Sequence, residues 1–296
     1  MISGDQRITE ELVILAHFSC NYFSYTLRRD ITVNVITPED TEHSAEQSYI
    51  PSAPYPVLYF IHGGANDGTT IQRYTSIERY AQEHKIAVVL LSSENKYSRK
   101  LISVVGEYPG GPRQLTEDFG ELITEELPRF VSAHFPISRE RKDTYICGLS
   151  AGGYGTLINS LLHPEKYRAV GLFSPLLTSR SYLMSLSEEE RKKEASVDEV
   201  QLRKNFLPEI QELLQLNVEK RLNMPDYYIT SGLKEHGMIA YQNLLAQDLR
   251  SMHVNLTYRI DHPFGHEWAF WDLAVQDFLN WLPRTDVHSR KLAEGI

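Results

Sequence analysis

The sequence predicts an α/β fold with a mostly parallel central sheet and helices on both of its faces. Short apolar runs, typical of buried strands, alternate with segments of helical periodicity at least four times along the chain. Strands that alternate with helices in this way are joined by right-handed crossovers and lie parallel. The chain has 296 residues, of which 42% are hydrophobic, and this is enough to build a substantial core.

The composition excludes two classes of protein. Charged residues make up 23% and aromatic residues 10%, whereas disordered chains have too little apolar surface to offset the entropy of folding. The chain has 30 Lys and Arg residues and 39 Asp and Glu residues, so its net charge is −9. A protein that binds nucleic acid needs a basic surface, and we therefore expect no nucleic-acid partner.

The cysteines and the amino terminus indicate location. Cys20 and Cys147 are too few for a disulfide framework and do not form a metal-binding pattern, which favours a reducing compartment. Two acids, Glu10 and Glu11, directly precede the short apolar run within residues 1–18, which lack the basic start of a signal peptide. No apolar run approaches the roughly 20 residues that span a bilayer. We expect a cytoplasmic protein without a membrane or metal partner.

The first part of the chain predicts an edge hairpin and then the buried sheet. β-rich runs at residues 11–18 and 31–37 suit an antiparallel pair at a sheet edge, and the proline-containing segment 39–56 is predicted as a loop. Continuous apolar runs at 57–62 and 86–92 are typical of strands buried on both faces. Helical spacing lies between them at 71–80. It recurs in a stripe at Leu115, Phe119, Leu122, Ile123, Leu127 and Phe130.

The second part continues the alternation around one irregular segment. Further strands are predicted at 144–150, 169–174, 226–232 and 256–261, and helices near 151, through 240–249 and over about 267–282. The segment 178–223 has no strand candidate and is rich in charge. We interpret residues 1–296 as one domain, with about 178–223 as a helical cap inserted over the sheet edge.

The inserted segment has an apolar stripe of its own, at Leu202, Phe206, Ile210, Leu213 and Leu214. Such a stripe buries against the body of the protein or against a second subunit of a homo-oligomer. The alternative is a pair of solvated helices without a role at the site, since charge runs usually mark solvated faces.

The strongest chemical signal is the pentapeptide Gly148-Leu149-Ser150-Ala151-Gly152, between a predicted strand and a glycine-rich helix start. In a nucleophile elbow the serine occupies a tight turn whose neighbouring glycines avoid collisions with the backbone. The pentapeptide alone occurs by chance, but its position between strand and helix favours Ser150 as a nucleophile. The alternative is a glycine-rich helix start that serves close packing.

An acyl-transferring serine also needs two backbone N–H donors for the oxyanion that develops on the substrate. Ala151, directly after the serine, is predicted to supply one donor. The loop after the first buried strand, His62-Gly63-Gly64, is predicted to supply the other through Gly64. His62 ends a buried strand, so we assign it the structural role of holding this loop.

The base and the acid are expected after the last two strands. His266 stands where the final helix begins, whereas His262 abuts the last strand and precedes a proline, so His266 is favoured. Glu235 is the first acid after the preceding strand, and Asp261 and Asp226 are its rivals. The order serine, acid, histidine is that of α/β-hydrolases.

Four ordered motifs resemble the putative esterase family of α/β-hydrolases: HGG at His62, GLSAGGYGTL from Gly148, GLKE from Gly232 and GHEWAFW from Gly265. That family includes esterase D, S-formylglutathione hydrolase, tributyrin esterases, and feruloyl and acetylxylan esterases. The resemblance spans about residues 31–282. It implies an α/β-hydrolase fold and hydrolysis of a small-molecule ester without a cofactor.

The chain departs from the family pattern at several positions. The family usually has Asp where Glu235 stands, often Met at Ala151, and commonly Gly or Thr at Phe264. The loop at His62 lacks the Ser-Gly-Leu-Thr-Cys stretch of S-formylglutathione hydrolases. Trp268 and Trp271 follow His266 as in the tributyrin and feruloyl branch, where they are expected to pack the final helix.

These observations favour a serine carboxylesterase that acts on short-chain acyl esters through an acyl-enzyme formed on Ser150. An acyltransferase, or an esterase of the feruloyl, acetylxylan or S-formylglutathione type, would use the same residues. A non-catalytic α/β-hydrolase-like binding protein is the alternative from a different class.

Overall fold

The computed structural model describes residues 15–39, 51–93, 100–108 and 111–294. The strands are β1 Leu15–Ser24, β2 Arg29–Pro38, β3 Val57–Ile61, β4 Ala87–Leu91, β5 Lys100–Tyr108, β6 Gly111–Asp118, β7 Thr144–Leu149, β8 Ala169–Phe173, β9 Asp226–Gly232 and β10 Leu256–His262.

The α-helices are α1 Gly68–Tyr74, α2 Ile77–Glu83, α3 Phe119–Glu121, α4 Leu127–His134, α5 Ala151–Leu162, α6 Arg180–Ser185, α7 Glu188–Lys193, α8 Glu199–Asn205, α9 Pro208–Lys220, α10 Ile239–Ser251, α11 Trp268–Trp281 and α12 Val287–Glu294. A π-helical turn, Leu122–Glu126, joins α3 to α4.

Eight strands form the central sheet, in the order β1-β2-β4-β3-β7-β8-β9-β10. From β4 to β10 each neighbouring pair is parallel, while β2 runs antiparallel to β4 and β1 antiparallel to β2. One face of the sheet packs against α3 to α5, α9 and α10, and the other against α1, α2 and α11. The predicted fold class, a mostly parallel sheet covered on both faces, is therefore confirmed.

The predicted edge hairpin is confirmed but is longer than its sequence indicates. The polar residues 21–24 continue β1, and only 25–28 form the turn, with Arg28 at φ 57°. One face of an edge strand meets solvent, so polar residues are compatible with continued pairing. The prediction from polarity alone therefore ends the first strand too early.

The stripe predicted as one helix from Leu115 to Phe130 is wrong at its start. Residues 111–118 form β6, which pairs antiparallel with β5 as a separate two-stranded sheet. Helical structure begins at Phe119, because the side chain of Asp118 accepts a hydrogen bond from the N–H of Glu121 and caps the first turn. From Phe119 to Leu127 the apolar positions of the stripe are buried as predicted.

The segment 178–223 contains the four helices α6 to α9, and its second half packs on the body of the protein. Asn217 Nδ2 donates to the carbonyl of Leu161 at 2.9 Å, and the hydroxyl of Tyr154 donates to Glu209 at 2.6 Å. Both contacts join α9 to α5, the helix that follows Ser150. Leu202, Phe206, Ile210 and Leu214 are buried, and Leu213 is half-buried.

Some expectations concern residues that are not described: 1–14, which include most of the amino-terminal segment, and 40–50, which form most of the predicted loop 39–56. In the described ranges, no helix has both the length and the apolar character to cross a membrane.

We expect Ile210→Ala to lower the free energy of unfolding by about 2 to 4 kcal/mol, because Ile210 is fully buried and its truncation leaves a cavity. Val218→Ala is the matched control on the same helix. Its side chain is 53% exposed, so its effect should stay within about 0.5 kcal/mol. Chemical denaturation of both variants measures the difference, and equal small losses would contradict the packing of α9 on α5.

Candidate active site

Ser150 occupies a strained turn between β7 and α5. Its backbone has φ 54° and ψ −119°, which residues with side chains rarely adopt. The surrounding backbone fixes this conformation, since the N–H of Ser150 donates to Phe173 at 2.9 Å and its carbonyl accepts from Leu176 at 3.0 Å. The turn is therefore anchored to β8 and to the loop that follows β8.

Close approach of the backbone explains the glycines around this turn. A Cβ atom at Gly152 would overlap the carbonyl oxygens of Ile61 and His62, at the end of β3. A Cβ atom at Gly148 would overlap the carbonyl oxygen of Gly152. Only glycine allows α5 to start this close to β3 and β7.

His266 lies between Ser150 and Glu235. Its Nε2 is 2.9 Å from the hydroxyl oxygen of Ser150, and its Nδ1 is 3.3 Å from Oε2 of Glu235. Glu235 follows β9 and His266 follows β10, so both reach the carboxyl edge of the parallel strands, where Ser150 also lies. The structure thus brings together the three residues that the sequence selected.

The carboxylate of Glu235 is buried and fully engaged. Its Oε1 accepts hydrogen bonds from the hydroxyl of Ser174 at 2.5 Å and from the N–H of Gly232 at 3.2 Å. A buried carboxylate is tolerated when hydrogen bonds replace its lost hydration. These contacts hold Oε2 toward His266.

Ser174 and Trp271 form a supporting layer that the sequence did not reveal. The indole N–H of Trp271 donates to the hydroxyl of Ser174 at 3.1 Å, and Ser174 in turn donates to Glu235. The ring of Trp271 also meets that of His266 edge-on, with centroids 4.8 Å apart. The expectation that Trp271 packs α11 was therefore incomplete, while Trp268 stacks on Tyr74. The position of Ser174 directly after a buried strand is the signal that could have identified it.

His62 holds the loop after β3, as expected, and is fully buried. Its Nε2 accepts from the backbone N–H of Ser93 at 2.9 Å, so the proton is on Nδ1, which donates to Gly63 at 2.7 Å. Burial lowers the pKa of His62 below its ordinary value, which keeps the ring neutral. Both ring nitrogens are thereby used in structural hydrogen bonds, Nδ1 within the loop and Nε2 to the segment that follows β4.

The rivals for base and acid lie in other interactions. His262 Nε2 is 3.0 Å from a carboxylate oxygen of Asp277. Asp261 accepts two hydrogen bonds from Arg259, and Asp226 pairs with Arg168 at 2.7 Å. These contacts favour His266 and Glu235 over their rivals.

The predicted oxyanion loop passes directly beside Ser150. A Cβ atom at Gly63 would lie only 3.4 Å from the Cβ of Ser150. Gly64 and Ala151, the two residues expected to donate backbone N–H groups, line the same cavity as Ser150. Ala151 begins α5, and N–H groups in the first turn of a helix have no partner within the helix.

The cavity above Ser150 has a volume of about 380 Å³ and a mixed lining. Leu176, Leu183, Met184, Met238 and Trp271 supply apolar surface. Leu183 and Met184 come from α6, so the inserted segment 178–223 contributes to the wall. Among the described residues, no group of three side chains could hold a metal ion.

This arrangement is suited to acyl transfer by a serine. With the Nδ1 proton directed at Glu235, the Nε2 lone pair of His266 can accept the hydroxyl proton of Ser150. A backbone N–H group without a partner in its helix, such as that of Ala151 in the first turn of α5, has the chemistry to stabilise negative charge on an attacked carbonyl oxygen.

Comparison with known proteins gives concordant matches. The model of the Putative esterase family matches residues 24–277. An acetyl esterase of Caldicellulosiruptor saccharolyticus is 24% identical over 277 residues, which cover 91% of this chain and 99% of that protein.

Two solved structures from Staphylococcus aureus are also similar. The substrate-bound fluorophosphonate-binding serine hydrolase F, FphF, has 28% identity and a TM-score of 0.70, and the match covers 90% of this chain and 98% of that one. The S-formylglutathione hydrolase FrmB has 26% identity and a TM-score of 0.69, and the match covers 91% and 99% of the two chains.

Proposed function

The chain belongs to the Putative esterase family and is a serine ester hydrolase, and from that premise we propose that Ser150, His266 and Glu235 hydrolyse short-chain acyl esters. The distance of 2.9 Å between His266 Nε2 and Ser150 Oγ, with Glu235 on the other ring nitrogen, is the observation that carries the proposal.

In the first half of the reaction, Ser150 Oγ attacks the ester carbonyl while His266 Nε2 takes the hydroxyl proton. Negative charge on the carbonyl oxygen is stabilised by the N–H groups of Gly64 and Ala151. The tetrahedral intermediate then collapses, the bond from the carbonyl carbon to the alcohol oxygen breaks, and His266 returns the proton to the departing alcohol. An acyl group remains on Ser150.

In the second half, water attacks the acyl-enzyme while His266 again takes a proton, and the carboxylic acid leaves as Ser150 recovers its hydrogen. Glu235 keeps the ring oriented and stabilises its positive charge in both halves. An acyltransferase would replace this water by an alcohol.

The two free cysteines and the acidic composition support a cytoplasmic enzyme that acts on small molecules. Segment 178–223 acts as a cap that limits the acyl pocket, which is supported by the position of Leu183 in the cavity wall.

We expect Ser150→Ala to lower kcat for p-nitrophenyl acetate by at least about a thousandfold while the protein remains folded. A fluorophosphonate should label the wild type once per chain and leave the variant unlabelled, as intact mass shows. His266→Ala should be similarly severe. His262→Ala is the control. A larger loss of kcat in His262→Ala than in His266→Ala would show that His262 is the general base.

We expect Glu235→Gln to lower kcat by about a hundredfold or more with little change in KM, since the amide disturbs the tautomer and charge of His266 without touching substrate. Asp261→Asn is the control, because Asp261 is paired with Arg259. Near-normal kcat in Glu235→Gln, with a large loss in Asp261→Asn, would show that Asp261 and not Glu235 is the acid that orients His266.

We expect acetate and butyrate esters to be cleaved faster than octanoate esters, and Leu183→Ala to raise the ratio of octanoate to butyrate kcat/KM by about fivefold or more. Val200→Ala lies on the same segment with its side chain 69% exposed, and it should leave that ratio unchanged. If Leu183→Ala leaves the ratio at the wild-type value, the pocket is limited elsewhere.

A further inference from the structure

The cavity above Ser150 carries a concentration of positive charge that ester hydrolysis does not require. Arg180 and Arg191 reach it from α6 and α7, and Lys234 reaches it from the loop between β9 and α10. The whole chain has a net charge of −9, so these residues reverse the prevailing sign at the site.

The carboxylates near the cavity do not form close pairs with these cations; Glu188 of α7 is within coulombic reach of Arg191, but it is exposed and does not line the cavity. Glu235 is the one acid among the described lining residues, and its oxygens are engaged by Ser174, Gly232 and His266. Within the described part of the chain, no carboxylate lies within 4.0 Å of the cationic atoms of Arg180, Arg191 or Lys234. The cavity therefore offers these cations to a ligand.

Arg191 is the most constrained of the three. It is half-buried, and its Nε is enclosed without an acceptor in the described residues. Gly237, with φ +85°, packs against its side chain, because a Cβ atom there would lie 3.2 Å from Cγ of Arg191. The enclosed Nε itself is not accessible to a ligand, but Arg191 lines the cavity without a close carboxylate partner in the described residues, and an anionic oxygen of a ligand can meet its positive charge there.

Resting on the proposed esterase activity, we propose that this cavity selects esters that bear a carboxylate close to the scissile bond, with Arg191 as a specificity residue. Guanidinium groups hold carboxylates through charge-assisted hydrogen bonds, and partial burial strengthens these bonds. A chain of net negative charge repels anions at long range, so only a local cluster of cations reverses this preference.

Two pairs of near-isosteric substrates test the proposal and locate the charge. Ethyl hydrogen succinate and ethyl levulinate differ by a carboxylate on the acyl side. The acetate esters of 4-hydroxybenzoate and 4-hydroxyacetophenone differ by a carboxylate on the alcohol side. Each kcat/KM is divided by the rate of alkaline hydrolysis of the same ester without enzyme.

We expect the anionic member of at least one pair to be favoured about tenfold in kcat/KM. The preference should shrink as sodium chloride is raised from about 0.05 M to about 0.5 M, because salt screens the attraction. A preference in the succinate pair places the carboxylate on the acyl side, and one in the benzoate pair places it on the alcohol side.

Substitutions at two neighbouring residues of α7 then distinguish a specific effect of Arg191 from a general effect of surface charge. Arg191→Gln should lower the ratio of anionic to neutral kcat/KM about tenfold, and Arg191→Lys should recover part of it. Lys192→Gln is the matched control, since Lys192 pairs with Glu188 at 2.7 Å and does not line the cavity. It should leave the ratio at the wild-type value.

The proposal is overturned if both pairs show no preference for the anion, or if Arg191→Gln leaves the ratio unchanged. Absence of hydrolysis for all four esters would instead count against the proposed esterase activity. Calorimetric titration of Ser150→Ala then decides this proposal alone. Tighter binding of ethyl hydrogen succinate than of ethyl levulinate supports it, and equal or undetectable binding of the two overturns it.

Discussion

The close approach of α5 to the end of β3 is the constraint on which the site depends. The backbone at Gly152 lies so near the carbonyls of Ile61 and His62 that no side chain fits between them. This contact forces the sharp turn at Ser150, and it also brings the loop after β3 beside the serine hydroxyl. One steric requirement therefore positions both Ser150, the proposed nucleophile, and the segment that is proposed to stabilise the oxyanion.

A second requirement is that the buried carboxylate must be satisfied. Ser174 and Gly232 hold one oxygen of the Glu235 carboxylate, which leaves the other oxygen facing His266. Removing hydration from a carboxylate is costly unless several donors compensate. Ser174 is itself positioned by Trp271, so the orientation of His266 also depends on a residue of α11.

The sequence predicted the parallel strands of the central sheet better than it predicted contacts between distant segments. Ser150, Glu235 and His266 could be found because each follows a buried strand in a fixed chain order. Ser174 also follows such a strand, but a serine there carries no motif, and its role appears only when Trp271 is folded against it. The prediction that the helix starts at Leu115 is wrong, because a single apolar residue at helical spacing is equally compatible with a strand of an antiparallel hairpin.

The charged segment 178–223 shows how helical phase separates residues that look alike in sequence. Lys192 and Arg191 are adjacent, yet Lys192 pairs with Glu188 one turn earlier on the surface of α7, whereas Arg191 lies in the wall of the cavity. Adjacent residues on a helix point about 100° apart, so a run of charges necessarily divides between solvent and whatever the helix covers. From the sequence alone, such a run of charges is interpreted as a solvated face. The cavity beneath α7 makes one member of the run a candidate for substrate recognition, while its neighbour remains a surface charge.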